Sequence, residues 1–354
     1  MRGGAARTGL RRWLSRLAAV VIGLGLTALI GLGIWRRPAF TPPIAGPNSI
    51  ASLEVVSLGG ARQWILIRGE DRTKPIVLFL HGGPGAPLMG LSHAFQRPLE
   101  RDFVVVQWDR RGSGKSFGER LDPKDLSTTR EAADAVELIG MLRRRLGPQR
   151  VILVGQDYGA YLGAMLTQAH PELVRALVAA GMPACTTADV DAIQDSWLRS
   201  RAAPAGDGDT TTQATVGGKW DRPGALYRYG GVLVGQTDDL TLRLALITAP
   251  EYRLPEALDV DQGMALVQSR LRQDGPAQPL ARSIPALDAP FYVLLGRRDY
   301  VTPAICADRY ADLVQAPIHQ EIWFERSAHY PFLEEPVAFH KALLRIAAET
   351  EAWR

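Results

Sequence analysis

The chain has 354 residues, 46% of them hydrophobic, enough for one large α/β domain with an insertion or for two small domains. Its net charge of +4 is unevenly placed: residues 1–37 hold seven arginines and no acid, and taking those seven from 41 basic residues leaves 34 against 37 acidic ones, a net of −3. Nothing in that remainder suggests a nucleic-acid surface, and two cysteines, Cys185 and Cys306, are too few for a disulfide scaffold.

Leu17 to Trp35 is a run of nineteen residues without a charge. At about 1.5 Å per residue it makes a helix of roughly 28 Å, close to the ~30 Å of a hydrocarbon core. Five arginines precede the run and two follow it, which predicts a cytoplasmic N-terminus and a catalytic domain outside the cytoplasmic membrane. Trp35-Arg36-Arg37-Pro38 is a poor signal-cleavage site, so an uncleaved single-pass anchor is expected ahead of a secreted form. An extracytoplasmic location would permit a Cys185–Cys306 bridge; the sequence does not decide whether the two meet.

Pro38 to Asn48, with four prolines, reads as a linker. Leu53–Leu58 and Gln63–Arg68 around Gly59-Gly60 read as a hairpin. Pro75–Leu80 is a buried strand running into His81-Gly82-Gly83-Pro84-Gly85, and Phe103–Trp108 a second one running into Asp109-Arg110-Arg111-Gly112-Ser113-Gly114-Lys115-Ser116. Thr129–Leu146 has helical periodicity. Val151–Val154 is a strand, Gly155-Gln156-Asp157-Tyr158-Gly159 turns sharply, and Ala160–His170 is helical; Val174–Ala180 is a further strand. From about Cys185 to Ser283 the alternation stops, with a loose patch at Ala202–Gly218 expected to be a mobile loop. It resumes with the strand Phe291–Leu295, a helix from Ala304, the strand His319–Phe324 and a final helix near Val337–Ala348. Such alternation predicts a mostly parallel sheet with helices on both faces, and the irregular stretch a helical cap over the site. The expected division is 1–37 basic segment and anchor, 38–49 linker, 50–184 and 286–354 the two parts of the core, and 185–285 the cap.

Chemistry in open parallel sheets sits at the carboxyl ends of strands. Gly155–Gly159 has the shape of a nucleophile elbow, G-x-S-x-G, with Asp157 where the nucleophile stands. Asp299 follows the strand 291–295 and His329 follows the strand ending at Phe324, giving the order nucleophile, acid, histidine. The glycine loop lets backbone N–H groups approach a developing oxyanion; Gly83 and Tyr158 are the expected donors, and His81 is expected to orient the loop. Gly112–Ser116 is not a phosphate loop, because the first glycine of that motif would fall on Asp109.

From about Ile50 onward the chain resembles the proline iminopeptidase-like branch of the α/β-hydrolases: H-G-G-P-G at 81–85, W-D-R-R-G-S-G-K-S at 108–116, Y-G-G-V at 229–232, G-R-R-D-Y-V-T-P at 296–303 and S-A-H-Y-P-F-L-E-E-P at 327–336. The resemblance implies an α/β-hydrolase fold with a cap. That branch usually carries serine where this chain has Asp157, and a diagnostic W-E cap motif for a substrate amine is absent. An elbow aspartate resembles instead the epoxide hydrolases and haloalkane dehalogenases of the same superfamily. A carboxylate is ionised at neutral pH and attacks sp³ carbon without a base, giving an alkyl ester that His329, oriented by Asp299, would hydrolyse. Tyr229 and Tyr252, in the cap segment, are the expected substrate-binding tyrosines, and the resemblance to epoxide hydrolases implies that one or the other is the ring-opening acid. The dehalogenase reading is weaker, since the halide-holding tryptophan and asparagine positions are Tyr158 and Gly83. The expectation is therefore an anchored hydrolase opening an epoxide or similar electrophile with water. It would use neither metal nor organic cofactor and bind no nucleic acid. The alternatives are an iminopeptidase-like peptidase, esterase or acyl transferase, and a non-catalytic binder.

Overall fold

A computed structural model describes residues 35–119, 121–202, 215–216, 219–271 and 278–353, together with positions 17, 20–27, 29 and 31–33. Ile50–Leu58 (β1) and Ala61–Gly69 (β2) form an antiparallel hairpin through Gly59 and Gly60, both at positive φ (53° and 74°), the backbone that a two-residue turn between twisted strands requires. Ile76–Leu80 (β3), Val104–Asp109 (β4), Val151–Gln156 (β5), Val174–Ala180 (β6), Phe291–Gly296 (β9) and His319–Phe324 (β10) complete an eight-stranded sheet in the order β1-β2-β4-β3-β5-β6-β9-β10. β2 meets β4 antiparallel; every pair from β4 to β10 is parallel.

The parallel strands β3 to β9 are buried along their whole length, which is why they read as unbroken apolar runs rather than as alternation. Successive residues still divide between two cores. Leu78, Val106, Leu153 and Leu177 face Thr128–Leu146 (α1), Tyr158–Ala169 (α2) and Ala304–Leu313 (α9). Val77, Phe79, Val105, Ile152 and Val178 face Phe95 and the helix Pro336–Glu349 (α11) through Phe339, Leu343 and Ile346. α1 starts where the Ser127 hydroxyl accepts from Arg130 N–H (3.2 Å) and ends at Gly147, φ 117°.

Between β6 and β9 the described residues form Thr187–Ala202 (α3), a two-residue pairing of Thr215–Val216 (β7) with Lys219–Trp220 (β8), Arg222–Arg228 (α4), Leu240–Thr248 (α5), Leu254–Leu258 (α6), Val260–Leu271 (α7) and Leu280–Ser283 (α8). α7 rests on the loops after β3 and β4: a Cβ on Gly85 would meet Val267 Cβ at 2.9 Å, and one on Gly263 would meet Gly112 O at 2.9 Å. Cys185 and Cys306 form a disulfide with Cα atoms 5.4 Å apart, tying the start of this segment to α9. Most of the loose patch expected at 202–218 lies outside the described residues.

No helix among the described residues is long and apolar enough to cross a membrane. This departs from the anchor expected at Leu17–Trp35: positions 17, 20–27, 29, 31–33 and 35 are helical, but the rest of residues 1–34 lie outside the described residues. The linker at 38–44 is not free chain. Phe40 N–H donates to Pro250 O (3.0 Å), and Arg68, buried in an ion pair with Glu100 (2.7 Å), donates to Pro42 O (2.6 Å).

Candidate active site

The turn from β5 into α2 places Asp157 at φ 51°, ψ −123°, the single non-glycine residue at positive φ among the described residues. Such a conformation costs about 1–3 kcal/mol and persists because its surroundings over-determine it. Asp157 N–H donates to Ala180 O (2.9 Å), and Asp157 O accepts from Ala160 N–H (2.8 Å). The flanking glycines are needed for space: a Cβ on Gly155 would lie 2.5 Å from Ala160 Cα, and one on Gly159 would lie 1.9 Å from Leu80 O.

The glycine loop comes in from the neighbouring strand β3. Gly83, at φ 114° before a cis Pro84, donates its N–H to Asp157 Oδ2 at 2.8 Å. Of the two N–H groups expected as oxyanion donors, that of Gly83 bonds the Asp157 carboxylate itself. Gly82 gives room: a Cβ there would sit 2.2 Å from Gln156 Oε1. His81 accepts Arg110 N–H on Nε2 (3.3 Å), while the Arg110 guanidinium donates to His81 O (2.7 Å). Burial, reinforced by that guanidinium, pushes the imidazole well below its usual range, so it stays neutral.

His329 lies on the loop after β10, buried, with Nδ1 2.9 Å from Asp299 Oδ2. Asp299 is fixed by three donors: Val301 N–H (2.9 Å) and Thr302 N–H (3.1 Å) on Oδ1, and the Thr302 hydroxyl (3.0 Å) on Oδ2. With Nδ1–H pointed at Asp299, Nε2 is the acceptor, and Gln156 Nε2 stands 2.7 Å from it. Burial pushes the His329 pKa down; the Asp299 charge and hydrogen bond, with the Asp157 charge, outweigh it and the net shift is upward. Burial pushes the Asp157 carboxyl up, against the His329 charge and the Gly83 N–H bond.

Several positioning groups were not singled out in the sequence. Gln156 is one. Glu334 is another: its carboxylate accepts Ala328 N–H (2.8 Å) and Tyr330 N–H (3.3 Å) on one oxygen and Val234 N–H (2.7 Å) on the other, bracketing the histidine. Glu335 accepts from the Ser327 hydroxyl (2.9 Å). Both acids belong to the S-A-H-Y-P-F-L-E-E-P run, but acids next to a helix start give no signal that separates them from ordinary capping.

The two tyrosines expected at the substrate are elsewhere. Tyr252 is buried, its hydroxyl donating in a short bond to Asp109 Oδ2 at the end of β4. Tyr229 closes α4 and packs against the small cluster of Trp197, Leu198, Ala225, Leu226 and Val232. Tyr227 and Tyr330 instead line a cavity of about 280 Å³ between the glycine loop and α5–α7, together with Pro87, Leu88, Leu246 and Met264. The Tyr330 ring stands 5.0 Å edge-on from that of His329, so this cavity adjoins the buried histidine.

Asp109 also accepts Lys115 N–H (2.8 Å), and Lys115 Nζ pairs with Glu256 of α6 at 2.6 Å over the Trp64 ring. The W-D-R-R-G-S-G-K-S run is therefore a joint between the sheet and the helical segment.

A family described as "alpha/beta hydrolase fold" matches residues 75–217. A probable aminopeptidase of Bacillus subtilis is 27% identical over 310 residues, 85% of this chain and 97% of that protein. A proline iminopeptidase of Neisseria gonorrhoeae is 28% identical over 202 residues, 55% of this chain, which spans 61% of that relative. Among solved structures, a proline iminopeptidase of Mycobacterium smegmatis superposes with a TM-score of 0.60 at 17% identity, covering 85% of this chain and 99% of that one; at that identity the likeness speaks for the fold.

Proposed function

We infer from the chain's membership of the α/β-hydrolase superfamily, in its proline iminopeptidase-like branch, that it is a hydrolase of small substrates in the peptidase and esterase range. The support is the match to a probable aminopeptidase along 97% of that relative, together with a buried His329–Asp299 pair 2.9 Å apart beside a largely apolar cavity edged by Asp239, Arg243 and Asp261. In this reading His329 takes the proton of the attacking water and Asp299 steadies the imidazolium. Asp157 makes no stable acyl-enzyme, because a carboxylate joined to an acyl group is a mixed anhydride. In this reading it stands beside the reacting carbonyl as a polar group and not as the nucleophile.

One observation favours a second reading, the opening of an epoxide or similar sp³ electrophile. The Asp157 carboxylate occupies the Gly83 N–H, one of the two groups expected to hold a substrate oxyanion. A carboxylate so held is oriented for attack, and the ester it forms carries its tetrahedral oxyanion at the same donor when His329 delivers water. A single turnover in ¹⁸O-water over aminoacyl amides, esters and epoxides, with mass spectrometry of the peptide containing Asp157, separates the two. Ester or amide turnover with no label in that peptide supports the first reading; label with epoxide consumed supports the second. No turnover of any class refutes both and leaves a binding protein.

We also propose that residues 1–37 anchor the protein in the cytoplasmic membrane with the hydrolase domain outside. Leu17, Val20, Val21, Ile22, Leu24, Leu26, Leu29 and Leu32 are helical and exposed, and the Cys185–Cys306 disulfide suits an oxidising compartment. Release of the chain from membranes by alkaline carbonate would refute the anchor.

A further inference from the structure

α5 is a nine-residue helix, L-T-L-R-L-A-L-I-T, with no fully buried residue, although five of the nine are leucine or isoleucine. At 100° per residue its apolar side chains fall on two opposite faces. Leu242, Ala245 and Leu246 point inward and pack on the core beneath, where Leu246 would meet a Cβ on Gly90 at 2.6 Å. Leu240, Leu244 and Ile247 lie within an arc of about 60° on the outer face, and their exposures are 56%, 51% and 40%. Leu258 of α6 is exposed beside them, and Ile247 and Leu258 also line the rim of the 280 Å³ cavity. The cavity is lined mainly by apolar side chains, with Asp239, Arg243 and Asp261 paired along its α5–α7 edge; an apolar patch at such a mouth marks a surface that meets something other than water.

The chain's own path says what. The linker carries the exposed N-terminal helix directly to this patch. Arg37 Nη2 donates to Ala249 O (2.8 Å) and Tyr252 O (3.3 Å), and Phe40 N–H donates to Pro250 O (3.0 Å), so residues 37–40 are pinned to the turn that ends α5. Trp35 stands two residues before Arg37, at most about 7 Å of chain. Trp35 and Phe40, at 51% and 49% exposure, are the large aromatic side chains that membrane–water boundaries favour. A helix that enters a bilayer at Trp35 brings the outer face of α5 to the bilayer surface.

We propose that Leu240, Leu244 and Ile247 of α5, with Trp35 and Phe40, rest on the lipid surface, and that the cavity beneath takes an apolar substrate partitioned into the membrane. This rests on the anchored-hydrolase reading and narrows its substrate class to lipid-soluble molecules.

The test uses the full-length chain in vesicles of phosphatidylethanolamine and phosphatidylglycerol. An environment-sensitive dye is placed at Leu244→Cys or, on the opposite face of the sheet, at exposed Arg144→Cys; the native cysteines stay bridged. Contact predicts a blue-shifted dye at 244 that shallow spin-labelled lipids quench at least about twofold more than the dye at 144. Water-like emission at both positions in vesicle-bound protein overturns the docking while leaving the anchor. Failure of the chain to enter vesicles overturns both. Neither readout requires turnover, so loss of the hydrolase reading is seen separately. Leu240→Glu with Leu244→Glu, neither of which lines the cavity, should cut hydrolysis of a vesicle-borne ester by about tenfold and leave a water-soluble short-chain ester unaffected; equal loss on both would count against delivery from the membrane.

Discussion

Asp109→Asn should flatten a pH dependence of stability that the wild-type chain carries. Asp109 is fully buried at the end of β4, with one carboxylate oxygen bonded by Tyr252 and Lys115 N–H and the other without a partner among the described residues. Burial raises its pKa from 3.8 to about 7, against the Tyr252 and Lys115 bonds and the Lys115 charge. A raised carboxyl binds its proton more tightly folded than unfolded. The stability it contributes is therefore complete below the unfolded value and is lost as pH climbs to the folded one. At about 1.36 kcal/mol per unit, a shift of about three units is worth about 4 kcal/mol, of which about 2 kcal/mol falls between pH 5 and pH 7. Asparagine keeps an acceptor for Tyr252 and Lys115 and has no charge to desolvate. Urea unfolding at pH 5 and pH 8, followed by tryptophan fluorescence, should show the Asn variant gaining about 3 kcal/mol on the wild type as pH rises. Parallel stability curves for the two proteins over that range would refute the reasoning.

Asp157→Asn and His329→Gln should each cut turnover by about a thousandfold or more while melting within a few degrees of wild type; retained activity in either removes that residue from the chemistry. Gly159→Ala should cost upwards of about 3 kcal/mol or abolish soluble expression, because its methyl would sit 1.9 Å from Leu80 O, and a normally stable alanine variant would mean that the elbow relaxes. Reduction of Cys185–Cys306, which closes a separation of 121 residues, should lower stability by up to about 5 kcal/mol by loop-closure entropy, read as a drop in melting temperature with a phosphine reductant. An unchanged melting temperature would show that the unfolded chain is not expanded by losing the bridge.

The parallel strands were legible because burial on both faces leaves unbroken apolar runs, and the elbow because only glycine fits on either side of Asp157. Asp299 and His329 could be paired from their places at strand ends, since the topology brings those ends together. The partners that hold the histidine loop were not legible: Glu334 meets Val234 from a segment 100 residues away. Tyr252 and Tyr229 show the same limit. A tyrosine's position in an irregular segment gives no period that says which way it points, and Tyr252 turned toward the buried carboxylate of Asp109, where its hydroxyl offsets a desolvated charge. The disulfide lay beyond the sequence for a similar reason, because two cysteines fix a possibility and only the packing of α9 against the segment after β6 makes it a fact.

An elbow that ends in a carboxylate also changes how such a protein can be found. Fluorophosphonate reagents, which tag hydrolases by phosphorylating an activated hydroxyl, meet none at the centre of this turn, where the side chain is a carboxyl bonded by the Gly83 N–H. Proteome surveys built on such tags would pass over this chain whatever it hydrolyses. Reagents that alkylate carboxylates would be the appropriate bait, and they would report on Asp157 directly.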